Sequence, residues 1–234
     1  MLARTDRFAL PSFRRRPYLH GMNCIVTAGP AFAPLDCVRR LTNFSTGRLG
    51  TELANFLAAR GHRVTLLLGE SATYAGARPG PVVKTFSTVA DLRAQLKAFS
   101  GKKVDAVFHA AAVSDFTFGQ LFAETNPGTF TTLKAAKKIS TRQGGLLVEL
   151  VPTPKIIAEL RGWFPLAKIV GWKFEAAGGR ASVLRAAEKQ LADYATNLCV
   201  ANGPAYGRGF NLVSAAGRKH FTDRKKLFAA LAGL

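Results

Sequence analysis

Short apolar, β-branched runs recur along this chain, and stretches with helical spacing separate them. Asn23–Ala28 (NCIVTA), Arg63–Gly69 (RVTLLLG), Val104–Asp115 (VDAVFHAAAVSD, with its exit loop), Lys168–Glu175 (KIVGWKFE) and Thr196–Asn202 (TNLCVAN) read as strands. A helix is expected from Gly47 to about Arg60, where Leu49, Leu53, Phe56 and Leu57 share one face, and further helices over Val89–Phe99, Lys155–Trp163 and Ala181–Tyr194. Strand and helix in alternation predict an α/β fold, a doubly wound, Rossmann-like and mostly parallel sheet. Val82–Phe86 and Leu146–Val151 read as further strands. Phe116–Thr132, polar and aromatic, reads as an irregular or hairpin insertion, Asn211–Ser214 with His220–Thr222 as a hairpin, and Asp223–Leu234 as a closing helix.

A chain of 234 residues suits one such domain. Residues 22–234 are assigned to it. Residues 1–21, with five arginines, two prolines and no apolar periodicity, read as a basic disordered extension without the apolar centre of a secretory signal. No apolar run has the length of a membrane span. Cys24, Cys37 and Cys199 form no CxxC pair and no metal-ligand cluster, which points to a reduced, cytoplasmic setting. The net charge is +19 and the basic residues are spread along the chain. No zinc-finger or RNP-type signature accompanies them, so the surplus argues for an acidic small substrate more than for nucleic acid.

The chemistry concentrates in Leu41–Gly50 (LTNFSTGRLG), between the first strand and the first helix. Ser45 or Thr46 can cap that helix. Gly47 and Gly50 leave room for close approach, and a helix start with free amides suits a phosphate. Asn43, just ahead, can hold a carboxylate or its activated ester without adding charge. Plain capping and tight packing explain the same residues without a ligand. Small residues Ala110, Ala111 and Ala112 and then Asp115 stand where the third strand ends, on the side where open parallel sheets bind ligands.

Other chemistries lack their residues. The first turn, Gly29-Pro30-Ala31-Phe32-Ala33-Pro34, holds one glycine where a dinucleotide fold needs G-x-G-x-x-G. None of Tyr18, Tyr74, Tyr194 and Tyr206 has a lysine four places on, and no phosphate-binding G-x-x-x-x-G-K-[ST] loop occurs. The four histidines form no metal or triad pattern.

In order, the chain carries TAG at Thr27, PLDCVRRLTNFSTGRLG from Pro34, HAAAVSDF from His109, AAKKI from Ala135, LVPTP from Leu150, VGWKFE from Val170 and VANG from Val200. Together these blocks resemble the phosphopantothenoylcysteine synthetase family in its monofunctional form, from Asn23 to about Val213. The resemblance implies a ligase of coenzyme A biosynthesis that joins 4'-phosphopantothenate to cysteine through an acyl-nucleotidylate. The cosubstrate would be CTP or ATP, with Mg²⁺ and no flavin, in a homodimer. It further implies that Asn43 and Lys138 act on the intermediate. Ser45, Gly47, Gly50, His109, Ala110, Ala111, Asp115, Val151, Pro152, Thr153, Pro154, Trp172, Lys189 and Asn202 would meet the nucleotide. Arg39, Ala111, Ala112 and Asp115 would meet phosphopantothenate, Arg39 from the partner subunit. Pro30 stands in a turn that is usually Gly-Gly-Thr and removes an amide there. Ser140 and Thr141 replace lysines common in the family, and Trp172 replaces a phenylalanine. These departures and the basic charge leave a second class open, a noncatalytic nucleotide- or nucleic-acid-binding protein on the same fold.

Overall fold

The computed structural model describes residues 21–133, 138–140 and 144–234. The basic extension up to residue 20, and Lys134, Lys137 and Thr141 of the lysine loop, lie outside them.

Eight strands form the central sheet: β1 (Asn23–Ala28), β4 (Arg63–Gly69), β5 (Val82–Phe86), β6 (Ala106–His109), β10 (Lys168–Phe174), β11 (Leu198–Asn202), β12 (Phe210–Ser214) and β13 (Gly217–Phe221). Their order is β13-β12-β11-β10-β6-β1-β4-β5. The six strands from β11 to β5 run parallel, and β12 and β13 return antiparallel. The chain winds outward from β1 through β4 to β5, then restarts on the other side of β1 with β6. That reversal opens a crevice at the carboxyl ends of β1 and β6, where ligands bind in sheets of this kind.

The parallel strands read as unbroken apolar runs because both faces are covered. Val26, Phe108 and Val170 pack with Leu53 and Leu57 of α1 (Arg48–Ala58) and with α5 (Arg224–Leu231). Their immediate neighbours Ile25, Val107 and Ile169 point the other way, onto Leu92 of α2 (Val89–Lys97) and Leu160 of α3 (Ile156–Trp163). On that second face α4 (Arg180–Tyr194) buries Val183 and Ala187 against Cys199 and Val213.

Four expectations change. The first helix ends at Ala58 and its N-cap is Gly47, in the left-handed region at φ 76°, so neither Ser45 nor Thr46 is the cap. Thr46 Oγ1 instead accepts the Arg48 N–H at 3.3 Å. The third strand starts at Ala106 rather than Val104 and ends at His109, with the small residues after it in the exit loop as expected. The strand over Leu146–Val151 extends to Pro152 as β9 but lies outside the central sheet. It pairs antiparallel with β7 (Phe116–Asn126), whose other edge carries β8 (Thr129–Thr132). Glu149 and a half-exposed pattern suit that open three-stranded sheet and would not suit a strand buried on both faces. Finally, β2 (Phe32–Pro34) and β3 (Arg40–Thr42), which pair with each other, were not expected from sequence.

Candidate active site

A cleft of about 660 Å³ opens at the carboxyl ends of β6, β10 and β11, against the start of α1. Ten of the expected residues line it: Asn43, Ser45, Gly47 and Gly50; Ala110, Ala111, Ala112 and Asp115; and Trp172 and Asn202. Segments more than a hundred residues apart in sequence converge because the parallel strands all end on this side.

The helix start is built for close packing first. A Cβ on Gly50 would lie 2.6 Å from the Ala28 Cβ and 3.1 Å from the Thr27 carbonyl oxygen, so the missing side chain lets α1 seat on β1. This close seating also brings the first turn to the crevice. Thr46 takes the Arg48 amide, while Leu49 and Gly50, whose amides have no partner within the helix, line the cleft. Those donors and the positive helix end suit an anion.

Two buried polar atoms add to the fit. Trp172 Nε1 and Asn202 Oδ1 have no hydrogen-bond partner among the described residues. Trp172 stands opposite Val200 in the β10–β11 register and Phe174 opposite Asn202, so Trp172 and Asn202 are diagonal neighbours on one face. A buried donor and a buried acceptor without partners are costly unless a ligand satisfies them. Phe44 and Phe174, both exposed, flank the mouth.

Cations stand around this site as well. Arg48 bonds Glu52 at 2.6 Å, and Glu52 also holds Arg224 at 2.7 Å. Lys173 pairs with Glu175 at 3.0 Å. Sequence reasoning quoted Arg48 and Lys173 inside its motif blocks without assigning them a role; their position at a helix start and at a strand end was the available signal. Among the described residues no group of three or more His, Cys, Asp or Glu stands close enough to hold a metal. The described side chains thus form no all-protein cage for Mg²⁺, an ion that nucleotide sites commonly hold through one or two carboxylates together with the substrate's phosphates.

The remaining expected residues stand elsewhere. Thr153, Pro154 and His109 line a smaller recess beside the cleft. Val151 and Pro152 lie on β9, Thr117 and Phe116 being their partners. Lys189 is exposed on α4 and pairs with Asp193 at 2.9 Å, while its neighbour Gln190 is buried and faces the recess. Lys138 is exposed and does not line the cleft. Arg39 lies in the turn between β2 and β3, bonded to Asp36 and, at 2.7 Å, to the Ile139 carbonyl. Asp36, whose side chain is wholly buried, accepts the Ile139 N–H at 3.1 Å. The Arg39 guanidinium holds the Asp36 carboxyl far below the ordinary carboxylate range. This pair fastens the residue next to Lys138. Pro30 does not line the cleft either. Its neighbours zip onto the strand exit through Ala31 N–H to Ala112 O at 3.1 Å and Ala112 N–H to Gly29 O at 2.9 Å, so the turn is complete without the missing amide.

Comparison with known proteins agrees with this architecture. The profile of the DNA/pantothenate metabolism flavoprotein C-terminal domain matches residues 19–226. The chain is 34% identical over 202 residues to the coenzyme A biosynthesis bifunctional protein CoaBC of Thermococcus kodakarensis, covering 86% of this chain and 46% of that protein. It is 30% identical over 202 residues to the Bacillus subtilis CoaBC, covering 84% and 45%. The chain thus spans about half the length of these curated relatives. Among solved structures, the DNA/pantothenate metabolism flavoprotein from Streptococcus pneumoniae aligns with a TM-score of 0.78 at 23% identity, covering 91% of this chain and 97% of that one. A Cab2 variant in complex with phosphopantothenate-cysteine aligns with a TM-score of 0.67 at 20% identity, covering 91% and 86%. With the profile matching nearly the whole folded region, the chain belongs to the family of DNA/pantothenate metabolism flavoprotein C-terminal domains.

Proposed function

We propose that the protein is a phosphopantothenate–cysteine ligase that works through an acyl-nucleotidylate. The observation that carries this reading is the convergence of Asn43, the α1 start, Ala110–Asp115, Trp172 and Asn202 on one cleft. The bifunctional relatives are named for coenzyme A biosynthesis, which supports it.

The chemistry follows from the weakness of a carboxylate as an electrophile. The carboxylate oxygen of phosphopantothenate bonds to the α-phosphorus of the nucleoside triphosphate, and pyrophosphate leaves. The amine nitrogen of cysteine then bonds to the acyl carbon. The bond from that carbon to the phosphate oxygen breaks, nucleoside monophosphate departs with the electron pair, and the nitrogen gives up one proton to leave an amide. The protein's part is to position the groups and offset charge. The free amides of the first turn of α1 suit the α-phosphate. Asn43, next to that turn, donates to the acyl oxygen without repelling the substrate carboxylate. Trp172 Nε1 and Asn202 Oδ1 offer a donor and an acceptor to the nucleotide. CTP and ATP both carry an amino group beside a ring nitrogen acceptor, so this pair suits either. Lys138, from its loop, would neutralise charge on the phosphates. Mg²⁺ would travel with the triphosphate.

The test is pyrophosphate release with 4'-phosphopantothenate and Mg²⁺, with CTP and ATP supplied separately, with and without cysteine, and the product weighed by mass spectrometry. Release together with a phosphopantothenoylcysteine mass is the expected result. Folded protein that gives neither overturns the reading.

A further inference from the structure

A second groove, of about 820 Å³, lies at the other end of the sheet, under the amino ends of β1, β6 and β10. Gly21 and Met22, the turn 100–105, the segment 162–168 and Leu234 form it, and it shares no residue with the cleft.

Its charge is one-sided. Lys102, Lys103 and Lys168 stand exposed along it, and none has an ion pair among the described residues. Arg63, whose N–H bonds the Met22 carbonyl at 2.9 Å, adds an exposed cation at the same edge. Against these stand Asp105 and the carboxylate that ends the chain at Leu234. Asp105 is already engaged, its Oδ2 accepting the Asn23 N–H at 2.7 Å.

The apolar part is aliphatic and held rigidly. Leu166 is 95% exposed, and Pro165 and Leu234 in the same groove are exposed too. One guanidinium fixes the loop that carries Leu166. Arg161 Nη1 donates to the carbonyls of Phe164, Pro165 and Ala167 at 3.2, 2.9 and 3.0 Å, and Nη2 to Asn197 Oδ1 at 2.7 Å. A loop ordered beforehand removes one cost of association. An apolar centre within a polar rim is the pattern of a protein interface. Single-stranded nucleic acid would call for open aromatic faces on which bases stack, whereas Trp163 is only half-exposed and has Arg93 5.9 Å from its ring centroid.

Charge selects the occupant. Residues 1–21 of this chain carry five arginines and one aspartate, and a second copy would bring the same cations, so like charge opposes both. We infer that the groove docks an acidic segment of another protein, with carboxylates against Lys102, Lys103 and Lys168 and a leucine-sized side chain against Leu166. The inference does not depend on the ligase reading.

The test is fluorescence anisotropy at fixed salt with two labelled peptides of equal charge, Glu-Asp-Leu and Glu-Asp-Ser each repeated four times, and with oligouridylate. The exposed side chains make Leu166→Ser and the double variant Lys103→Gln, Lys168→Gln safe for the fold, which their melting temperatures check. Wild type should bind the leucine peptide at least fivefold tighter than the serine peptide. Leu166→Ser should abolish that preference, and the double lysine variant should weaken both peptides at least tenfold. No binding of the leucine peptide by wild type, or affinities unchanged in the folded variants, overturns the docking site. Tighter binding of oligouridylate with the same lysine dependence overturns it in favour of nucleic acid. Self-association of wild type in sedimentation that Leu166→Ser abolishes overturns it in favour of a second copy.

Discussion

The Asp36 carboxylate accepts the backbone N–H of Ile139 across 103 residues of chain, and Arg39 returns a bond to the carbonyl of the same residue. Both backbone groups of Ile139 are thereby held by one turn. On the proposed function this fixes the root of Lys138. Asp36→Ala should lower kcat/KM for ligation by about tenfold or more, since small misplacements of a reacting group are expensive. Asp36→Asn, which keeps an acceptor oxygen but loses the charge, should fall between. Because the folded-state pKa is depressed, the contribution of Asp36 is fully present above about pH 4 and is lost only below it. A ligation rate in Asp36→Ala equal to wild type would show that the turn does not position the loop.

Asn43→Asp places a carboxylate where the site is expected to meet a carboxylate and a phosphate. Lys138→Gln removes the loop's cation. Each should reduce kcat by about a hundredfold, with melting temperatures close to that of wild type because both side chains are exposed. Single-turnover rates with the nucleotide that proves active are the measurement, and full activity in both variants would remove these residues from the site.

Gly50→Ala sets two effects against each other. Alanine favours the helix by up to about 1 kcal/mol. The added Cβ must fit 2.6 Å from the Ala28 Cβ, and overpacking of this kind costs about 1–3 kcal/mol. The clash should win, with a lower melting temperature and a looser cleft. A variant more stable than wild type would mean that α1 can move off β1 at little cost.

His109 gives a signature in acid. Burial pulls its pKa from 6.5 down to about 4. Between those values the unfolded chain holds a proton that the folded protein does not, so stability falls as pH is lowered through this window. The slope due to this one group is about 1.4 kcal/mol per pH unit. Denaturant unfolding of wild type and His109→Asn at pH 7, 6, 5 and 4.5 should show this slope in wild type and its loss in the variant. Parallel curves would mean that His109 takes up its proton without penalty in the fold.

The cysteines should divide sharply. Cys24 and Cys199 are buried, and burial pushes both thiols up to about 12. Cys37 is exposed. At pH 8 an alkylating reagent should modify Cys37 within minutes and reach the other two only on unfolding, since the thiolate is the reactive form. Peptide mapping by mass spectrometry reads this directly, and labelling of Cys199 in folded protein would show that the α4 face opens.

The sequence by itself determined the fold class. Ile25-Val26, Val107-Phe108 and Ile169-Val170 must each serve two faces of a covered sheet, and the helical spacing between such runs leaves few alternatives to parallel strands. It also brought Asn43 and Asp115 under suspicion, because residues at helix starts and strand ends reach the same side of such a sheet, while Trp172 and Asn202 came only with the family resemblance. What it could not determine depended on contacts between distant segments. The β9 strand looked like one more member of an alternating series, and only its pairing with β7 removes it from the central sheet. Lys189 and Gln190 are adjacent in sequence, yet the helical turn sends one to solvent and the other into the recess. Asp36 reads as an ordinary turn residue until Ile139 meets it. Thr27 and His109 stand on neighbouring strands, and only the closed sheet brings the hydroxyl within 3.0 Å of the ring. Local pattern fixes which elements form, because periodicity and propensity act over a few residues. Which side chains share a cavity is decided only when the crossovers close and burial forces each polar group to find its partner.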